Sequence, residues 1–312
     1  MNLAKKPPYR LAGERPLDAD MVIVARGQID RMVADLRDTE GPLPERIHDV
    51  RKGLKRMRGL LRIVRYADED FYRAENARYR DIARDLAPLR ETGARDELIG
   101  ALKDRFAAQL DDEPFLGVER ALANMTPAAH AETQGAESLL AQTEERLGEA
   151  AFALSAVNWS LTPKGAANTL AEGVAKILKT LRTSRKTARK APGAENLHEW
   201  RKAVKYAGYA TRLLRDFWPG DEKRIRKDLA SAGEILGLVH DIDELTRLLA
   251  DKRPGPEDER LVLTGLLAAW RGELIGRLDP LMDDVLAPGA KAAGKAVARA
   301  YRKGTINPLK AE

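Results

Sequence analysis

The chain has 312 residues, a net charge of +6 and 44% hydrophobic residues, which is enough apolar material to bury the interior of one or two domains. It contains no cysteine, and this excludes disulfide bonds, thiolate metal sites and cysteine nucleophiles. The amino terminus has no apolar segment after its two lysines, and no stretch approaches the roughly 18 apolar residues of a membrane span. We therefore predict neither a secretory signal nor a membrane association, and expect a cytoplasmic protein.

Basic charge is concentrated in four segments. Lys and Arg outnumber the acids by eight to one in residues 46–66, seven to none in 176–190, five to two in 196–216 and five to none in 290–303. Together these segments hold a charge of +22, which leaves −16 on the rest of the chain. Such a distribution produces a focused positive field and favours an anionic partner.

Nearly the whole chain has the composition of α-helices. Ala, Leu, Arg, Glu, Lys and Asp dominate, and runs of β-branched residues are rare. With breaks at the Pro and Gly residues, we predict helices near residues 17–38, 45–67, 69–109, 116–155 (broken near 126), 165–190, 195–217, 221–251, 257–286 and 290–303. Short connections favour antiparallel neighbours in helical bundles, so the predicted fold class is all-α.

One stretch occurs twice, 150 positions apart. HDVRKGLKRMRGLLR (48–62) aligns with HEWRKAVKYAGYATR (198–212), and LAPLRE (86–91) aligns with LGLVHD (236–241) at the same offset. The identities around the first pair are all basic: His48/His198, Arg51/Arg201, Lys52/Lys202, Lys55/Lys205, Arg62/Arg212 and Arg65/Arg215. Duplication explains the offset, and the retention of the basic residues indicates that both copies have the same role.

The repeated cations fall on one side of each predicted helix. Successive residues of an α-helix advance by about 100°. His48 therefore shares a face about 25 Å long with Arg51, Lys52, Lys55, Arg58 and Arg62, while the apolar residues lie opposite. Such a basic stripe repels itself, and a bound polyanion would neutralise it. Two further helices show similar spacing: Lys179, Arg182, Lys186 and Arg189 in one, and Lys291, Lys295, Arg299 and Arg302 in the other.

The candidates for chemistry are three histidines followed by acids. His48, His198 and His240 precede Asp49, Glu199 and Asp241. Each imidazole is either a structural residue at a helix start or a donor to phosphate whose charge rises on mild acidification. The HExxH signature, a nucleophile elbow and a glycine-rich phosphate loop are all absent from the sequence. We therefore predict no catalytic residue, no metal site and no cofactor.

With these motifs the chain resembles the CHAD family, the conserved histidine α-helical domain, over most of residues 17–303. The resemblance implies two four-helix bundles related by pseudo-twofold symmetry around a basic central groove or tunnel. On this basis we expect an amino-terminal extension (1–16), a CHAD domain (17–304) made of bundles 17–155 and 164–304, and a carboxy-terminal tail (305–312). Family members resemble non-enzymatic binders of inorganic polyphosphate that are often targeted to polyphosphate granules.

The resemblance also implies which residues bind polyphosphate. The positions that match the family motif are His48, Arg51, Lys52, Lys55, Arg58 and Arg62 in the first copy, and His198, Arg201, Lys202, Lys205 and Arg212 in the second. The downstream motif adds Arg90 and His240, the helix before the second copy adds Lys179 and Arg182, and the last helix adds Arg299. Gly208 stands at the equivalent of Arg58, and Tyr206 replaces an expected basic residue, so the second copy has less charge.

Two other functions remain open. A protein that binds single-stranded RNA or DNA would share the basic stripes, but aromatic residues make up only 5% of the chain and the common RNA-binding signatures are absent. A hydrolase of phosphate anhydrides would need carboxylates that hold Mg²⁺, and Asp241, Asp243 and Glu244 are the candidates. Polyphosphate binding remains the first prediction, with nucleic acid as the alternative partner.

Overall fold

The computed structural model describes residues 8–87, 93–110, 114–125 and 133–305. Within these ranges the chain forms α-helices and no strand, so the predicted all-α class is confirmed. The helices are α1 (Leu17–Arg37), α2 (Leu43–Val64), α3 (Glu69–Asp85), α4 (Gly93–Phe106), α5 (Leu116–Asn124), α6 (Thr133–Ser155), α7 (Pro163–Lys190), α8 (Ala194–Leu213), α9 (Glu222–Lys252), α10 (Glu257–Gly276), α11 (Leu278–Leu286) and α12 (Ala290–Thr305). None of those described has the length and hydropathy of a membrane-spanning segment.

The starts of several helices follow from capping chemistry. The side chains of Asp68, Thr162 and Asp221 accept hydrogen bonds from backbone amides in the first turns of α3, α7 and α9, which satisfies amides that have no partner within the helix. Pro44 lies in the first turn of α2, where the missing N–H costs nothing. Of the two helices that carry the repeat, α2 thus begins at a proline, whereas α8 follows Gly193 without a side-chain cap.

The prediction of one helix over residues 69–109 is wrong. In the described residues α3 ends at Asp85 and α4 begins at Gly93. Pro88 explains the end of α3, because proline disfavours the helical conformation of the residue before it. The corresponding part of the second half has no proline, and α9 continues for 31 residues. The predicted helix over 257–286 is likewise two helices, α10 and α11, which meet at Arg277.

Each half of the chain assembles helices around its copy of the repeat. In the first half α1 and α3 each pack against α2 and α6, and in the second half α7 packs against α8 and α12 while α9 packs against α8, α10 and α11. The halves meet where α2 contacts α7 and α8, and where α4 and α5 contact α9 and α10. The division into two four-helix bundles related by twofold symmetry, with boundaries at 155 and 164, stays a prediction.

The apolar side predicted for the repeated helices forms part of the core. The buried residues of α2 on this side are Val50, Leu54, Met57, Leu61 and Val64, and those of α8 are Trp200, Val204 and Ala207, with Leu214 directly after the helix. These side chains join one cluster of buried residues that extends through both halves. Burial of each large apolar side chain stabilises the fold by about 1.5–3 kcal/mol. Because the apolar sides of α2 and α8 face the core, their basic sides are available for other contacts.

Two glycines allow helices to approach α2 closely. A Cβ atom on Gly59 would lie 2.8 Å from Cβ of Tyr209 in α8, and a Cβ atom on Gly173 of α7 would lie 2.1 Å from the carbonyl oxygen of Ile63. Gly59 and Tyr209 are equivalent positions of the two copies, since they are 150 residues apart. The polar faces of α2 and α8 therefore meet at a crossing between corresponding residues.

Residues 8–16 pack across this crossing. The amide of Leu11 donates to the carbonyl oxygen of Leu213 in α8 (2.9 Å), and the hydroxyl of Tyr9 donates to the carbonyl oxygen of Arg56 in α2 (2.9 Å). Both Tyr9 and Leu11 are buried. The described part of the amino-terminal extension is thus a strap that contacts both copies of the repeat.

Candidate functional site

Two predicted cations of α2 lie at the crossing with α8. The guanidinium of Arg62 lies 3.8 Å from the centre of the Tyr206 ring, and that of Arg58 lies 6.0 Å from it. Arg58 Nε and an Arg62 amino group both donate to Oδ1 of Asn76 in α3, at 3.2 and 3.0 Å. Among the described residues neither guanidinium pairs with a carboxylate. Two positive charges are therefore held in place by neutral groups.

The electrostatics of Arg58 reflect this arrangement. Burial is the main cause that lowers the pKa of Arg58, and the neighbouring positive charge of Arg62 adds to it. An arginine stays protonated in proteins, so the lowered pKa means that the charged side chain is less well stabilised here than in water. An anion beside Arg58 and Arg62 would offset the cost of burying the guanidinium and would reduce the repulsion between the two charges.

The contact between Arg62 and Tyr206 has a counterpart formed by the equivalent residues. Arg212 corresponds to Arg62, and Arg56 corresponds to Tyr206. Burial lowers the pKa of Arg212, and Arg56 is the first of the nearby cations that add to the effect. Arg56 and Arg212 are thus two cations near each other. Arg62 instead lies over the aromatic ring of Tyr206, an interaction worth about 0.5–2 kcal/mol. Tyr206 contributes to the site although it has no charge.

Ion pairs along the two repeated helices explain the acid that follows each of their histidines. Asp49 pairs with Lys52 (3.6 Å), and Glu199 pairs with Lys202 in the same way. Both pairs join positions three residues apart on an exposed helix face. The acid of the His-acid-x-Arg-Lys pattern is thus a partner of the lysine. The His48 side chain is exposed.

The remaining cations of α2 differ in their surroundings. An amino group of Arg51 donates to the carbonyl oxygen of Ala83 in α3 at 2.9 Å, which fixes the guanidinium between the two helices. Lys55 is exposed one turn further along α2. Arg51 is therefore held between α2 and α3, whereas Lys55 is an exposed residue at the surface of α2.

Arg201 and Lys205 lie over glycines of α9. A Cβ atom on Gly237 would lie 3.7 Å from an amino group of Arg201, and one on Gly233 would lie 3.6 Å from Cε of Lys205. Lys205 is exposed as a whole residue, but the packing of its stem matters, since burial and the charge of Arg201 lower the pKa of its amino group. The two cations thus lie together between α8 and α9.

Two predicted histidines meet at the start of α8. The ring centres of His198 and His240 are 4.9 Å apart, and Nε2 of His240 lies 3.3 Å from a carboxylate oxygen of Glu244. Burial lowers the pKa of His198, and His240 is the next cause. Both causes favour the neutral form of the His198 imidazole over its cation.

Lys179 and Arg182 line different grooves. Lys179 faces a groove of about 350 Å³ between α7 and α8, which Glu199 also lines. Arg182 donates to the carbonyl oxygen of Leu286 at 3.0 Å and lines a cavity of about 610 Å³ beside α11, where Arg185 pairs with Asp279. The basic stripe of α7 is therefore divided between two surfaces. Arg299 is exposed on α12, and Arg90 lies outside the described residues.

Two residues of this region, Asn76 and Arg56, are not among those predicted from the sequence. Asn76 is an isolated amide in α3 whose role depends on the packing of α3 against α2. Arg56 lies within the repeat, and only the crossing reveals its position near Arg212. Glu244, which the sequence analysis named only as a candidate Mg²⁺ ligand, follows His240 by four residues, a spacing that sets the two side chains on one helix face.

The family comparison agrees with the architecture. The model of the CHAD domain matches residues 24–250, which include both copies of the repeat. No curated protein and no solved structure matches the chain. CHAD domains are known in the context of polyphosphate binding, which supports a general binding role. Because the match covers well over half of its length, the chain belongs to the CHAD domain family.

Proposed function

We propose that the chain binds inorganic polyphosphate without hydrolysing it, and that this binding associates the protein with polyphosphate granules. The observation on which the proposal depends is the pair Arg58 and Arg62, held at the crossing of α2 and α8 by neutral groups. Positive charge that is fixed in position and lacks a carboxylate partner among the described residues is suited to an anionic ligand.

The surrounding cations favour a linear phosphate polymer. Arginine binds phosphate oxygens in a fork, and lysine acts as a point charge on a flexible stem. Around the fixed arginines, the exposed lysines of the two copies are Lys52, Lys55, Lys202 and Lys205. The stripe on α2 extends for about 25 Å, so a chain of phosphates can contact several cations in succession.

The acids that a phosphate-anhydride hydrolase would need have other partners. Asp243 lies 2.6 Å from Arg271 and is largely buried, and Glu244 lies beside His240. This arrangement favours binding over Mg²⁺-dependent hydrolysis. We expect no phosphate release when the protein is incubated with polyphosphate and Mg²⁺ or Mn²⁺; release at an enzymatic rate would contradict the non-enzymatic part of the proposal.

Calorimetric titration with polyphosphate of defined length tests the binding. It is run at two salt concentrations and repeated with single-stranded RNA as competitor. We expect salt-sensitive binding that RNA does not displace, since cation–phosphate contacts weaken as salt rises. Ready displacement by RNA would instead assign the site to nucleic acid.

A pair of charge-reversal variants locates the site. Lys55→Glu combined with Lys205→Glu alters equivalent exposed lysines of the two copies. We expect the affinity for polyphosphate to fall at least about 100-fold, since two contacts to charged groups are lost and each is worth about 1.5–3 kcal/mol. The control combines Lys164→Glu with Lys223→Glu, which changes the net charge equally at exposed positions outside the repeat. An equal loss in both double variants would show that net charge alone governs binding. In cells with granules, only the first double variant should lose co-localisation.

A further inference from the structure

The side of α10 that faces away from the core carries no charge over its central turns. Leu261 and Val262 are 67% and 52% exposed, whereas Leu263 and Trp270 on the other side are buried. Residues 261–270 (LVLTGLLAAW) include no charged side chain, although 33% of the whole chain is charged. A surface helix normally places polar residues opposite its buried face, so this part of α10 has the pattern of a helix that is covered on both sides.

Small residues continue the exposed side of α10 towards its end. Gly265, Gly272 and Gly276 lie within about 60° of Leu261 around the helix axis, and a Cβ atom on any of these three glycines would meet nothing within 4 Å. The start of this side therefore carries a bulky apolar side chain, whereas its end leaves the helix backbone bare. The outer face of α10 is defined by the exposed residues Leu261, Val262, Gly265, Ala268, Ala269, Gly272 and Gly276.

The outer face is complementary in shape to a second copy of itself. If two α10 helices lie antiparallel about a twofold axis at Ala268, Leu261 of one chain lies between Gly272 and Gly276 of the other. The large side chain at the start of each helix thus enters the space that the glycines leave at the end of the other. Gly265 and Ala268 lie at the crossing, where small side chains let two helix axes approach closely.

The charges at the two ends of the outer face agree with this arrangement. Asp258 precedes Leu261 by three residues and Arg277 follows the last glycine, and both charged residues are exposed. In the antiparallel pair, Asp258 of each chain lies within one helical turn of Arg277 of the other, whereas a parallel pair would set like charges together. Glu273, at the edge of the outer face, is already paired with Arg105 of α4.

We propose that the outer face of α10 is the interface of a homodimer, in which two α10 helices pack antiparallel about a twofold axis at Ala268. Twofold dimers use the same patch on both chains, and an unrelated partner would not require the two ends of one helix to complement each other. One helix face makes a small interface, so we expect a dimer that dissociates at micromolar concentrations. The proposal does not depend on polyphosphate binding, because the basic stripes lie on other helices.

Sedimentation equilibrium of the full chain without polyphosphate, at concentrations from micromolar to nearly millimolar, tests the interface. We expect a monomer–dimer equilibrium. Leu261→Asp should raise the dissociation constant of the dimer at least about 100-fold, because each chain would bury a carboxylate against the glycines of the other. Phe152→Asp is the matched control. Phe152 is 80% exposed on α6, so the same change at a large apolar residue away from the outer face should leave dimerisation unaltered.

Charge exchange tests the antiparallel direction. Asp258→Arg or Arg277→Asp alone sets like charges together at both ends of the interface, and each should raise the dissociation constant about 10-fold at low salt. The double variant restores opposite charges and should recover the affinity. The dimer interface is overturned if the chain stays monomeric over the whole range, if Leu261→Asp dimerises like the wild type, or if Phe152→Asp weakens the dimer as much. A double variant that dimerises no better than the single ones would overturn the antiparallel arrangement.

Discussion

Tyr206 occupies the position at which the first copy of the repeat has Arg56, and its ring lies beneath the guanidinium of Arg62. The substitution removes one cation from the second copy, but it also replaces a repulsive pair by an attractive contact. Arg212 and Arg56, the equivalent pair, show the alternative, in which burial and like charge lower the pKa of Arg212. At the residue scale, the crossing therefore combines uncompensated charge with one contact that stabilises it.

Replacement of Tyr206 by lysine should destabilise the protein. The variant loses a cation–π contact worth about 0.5–2 kcal/mol and gains repulsion with Arg62 of a few tenths of a kcal/mol. We expect the free energy of unfolding in urea to fall by about 1–2 kcal/mol at low salt, and by less at high salt, since the repulsion is screened. Tyr206→Phe keeps the ring and is the control; equal losses in both variants would contradict the cation–π interpretation.

The acids beside the histidines show what local spacing reveals. Asp49 and Glu199 each lie three residues before the lysine with which they pair, and this is readable from helix geometry alone. The proximity of His198 to His240 cannot be read from helix geometry, because His240 lies on another helix. Like these ion pairs, the proximity of Glu244 to His240 is readable from their spacing of four residues in the sequence.

At the scale of helices, close approach determines which faces meet. Gly173 brings α7 against the backbone of α2, where a Cβ atom would lie 2.1 Å from the carbonyl oxygen of Ile63. The obstacle is backbone, so a side-chain rotation cannot relieve it. The helix pair must move apart to accommodate even a methyl group.

Gly173→Ala should therefore lower the free energy of unfolding by about 1–3 kcal/mol, the usual cost of overpacking, although alanine favours helices more than glycine does. Gly148→Ala is the control. Gly148 lies exposed on α6, where an added Cβ atom meets nothing within 4 Å, and this variant should be more stable by up to about 1 kcal/mol. Urea denaturation of both measures the difference; a stabilised Gly173→Ala protein would show that the two helices separate at no cost.

At the scale of the whole molecule, the strap of residues 8–16 links the halves. Leu11 is fully buried and its amide donates to α8, while Tyr9 donates to α2. The region matched by the family model begins at residue 24, so the strap lies outside it. The crossing of α2 and α8 is thus stabilised by a segment that precedes the matched domain.

Leu11→Ala should cost about 2–5 kcal/mol of unfolding free energy, the range for large-to-small substitutions in a core. Ile23→Ala, at a position of α1 that is 40% exposed, is the control and should cost much less, because less apolar surface is lost from the interior. Thermal or urea unfolding compares them. If Leu11→Ala unfolds like the wild type, the strap contributes nothing to the stability of the crossing.

The sequence by itself determined the all-α class, the helices of the repeat, the apolar side that each buries and the stripe of cations opposite. These depend on helix propensity and on a period of 3.6 residues, both of which act within a few turns. Pro88 also encodes the end of α3 locally, although the helix predicted over residues 69–109 does not take it into account.

Only the tertiary structure decided what each cation meets. Arg62 contacts the ring of Tyr206, Arg182 donates to a carbonyl oxygen of α11, and His198 lies beside His240. All three nevertheless belong to similar basic stretches of sequence. The physical reason is that a stripe specifies a face, whereas its partner depends on how closely two helices approach and at which residues they cross. That choice is made by packing between segments distant in sequence, such as Gly173 against Ile63 and Gly59 against Tyr209.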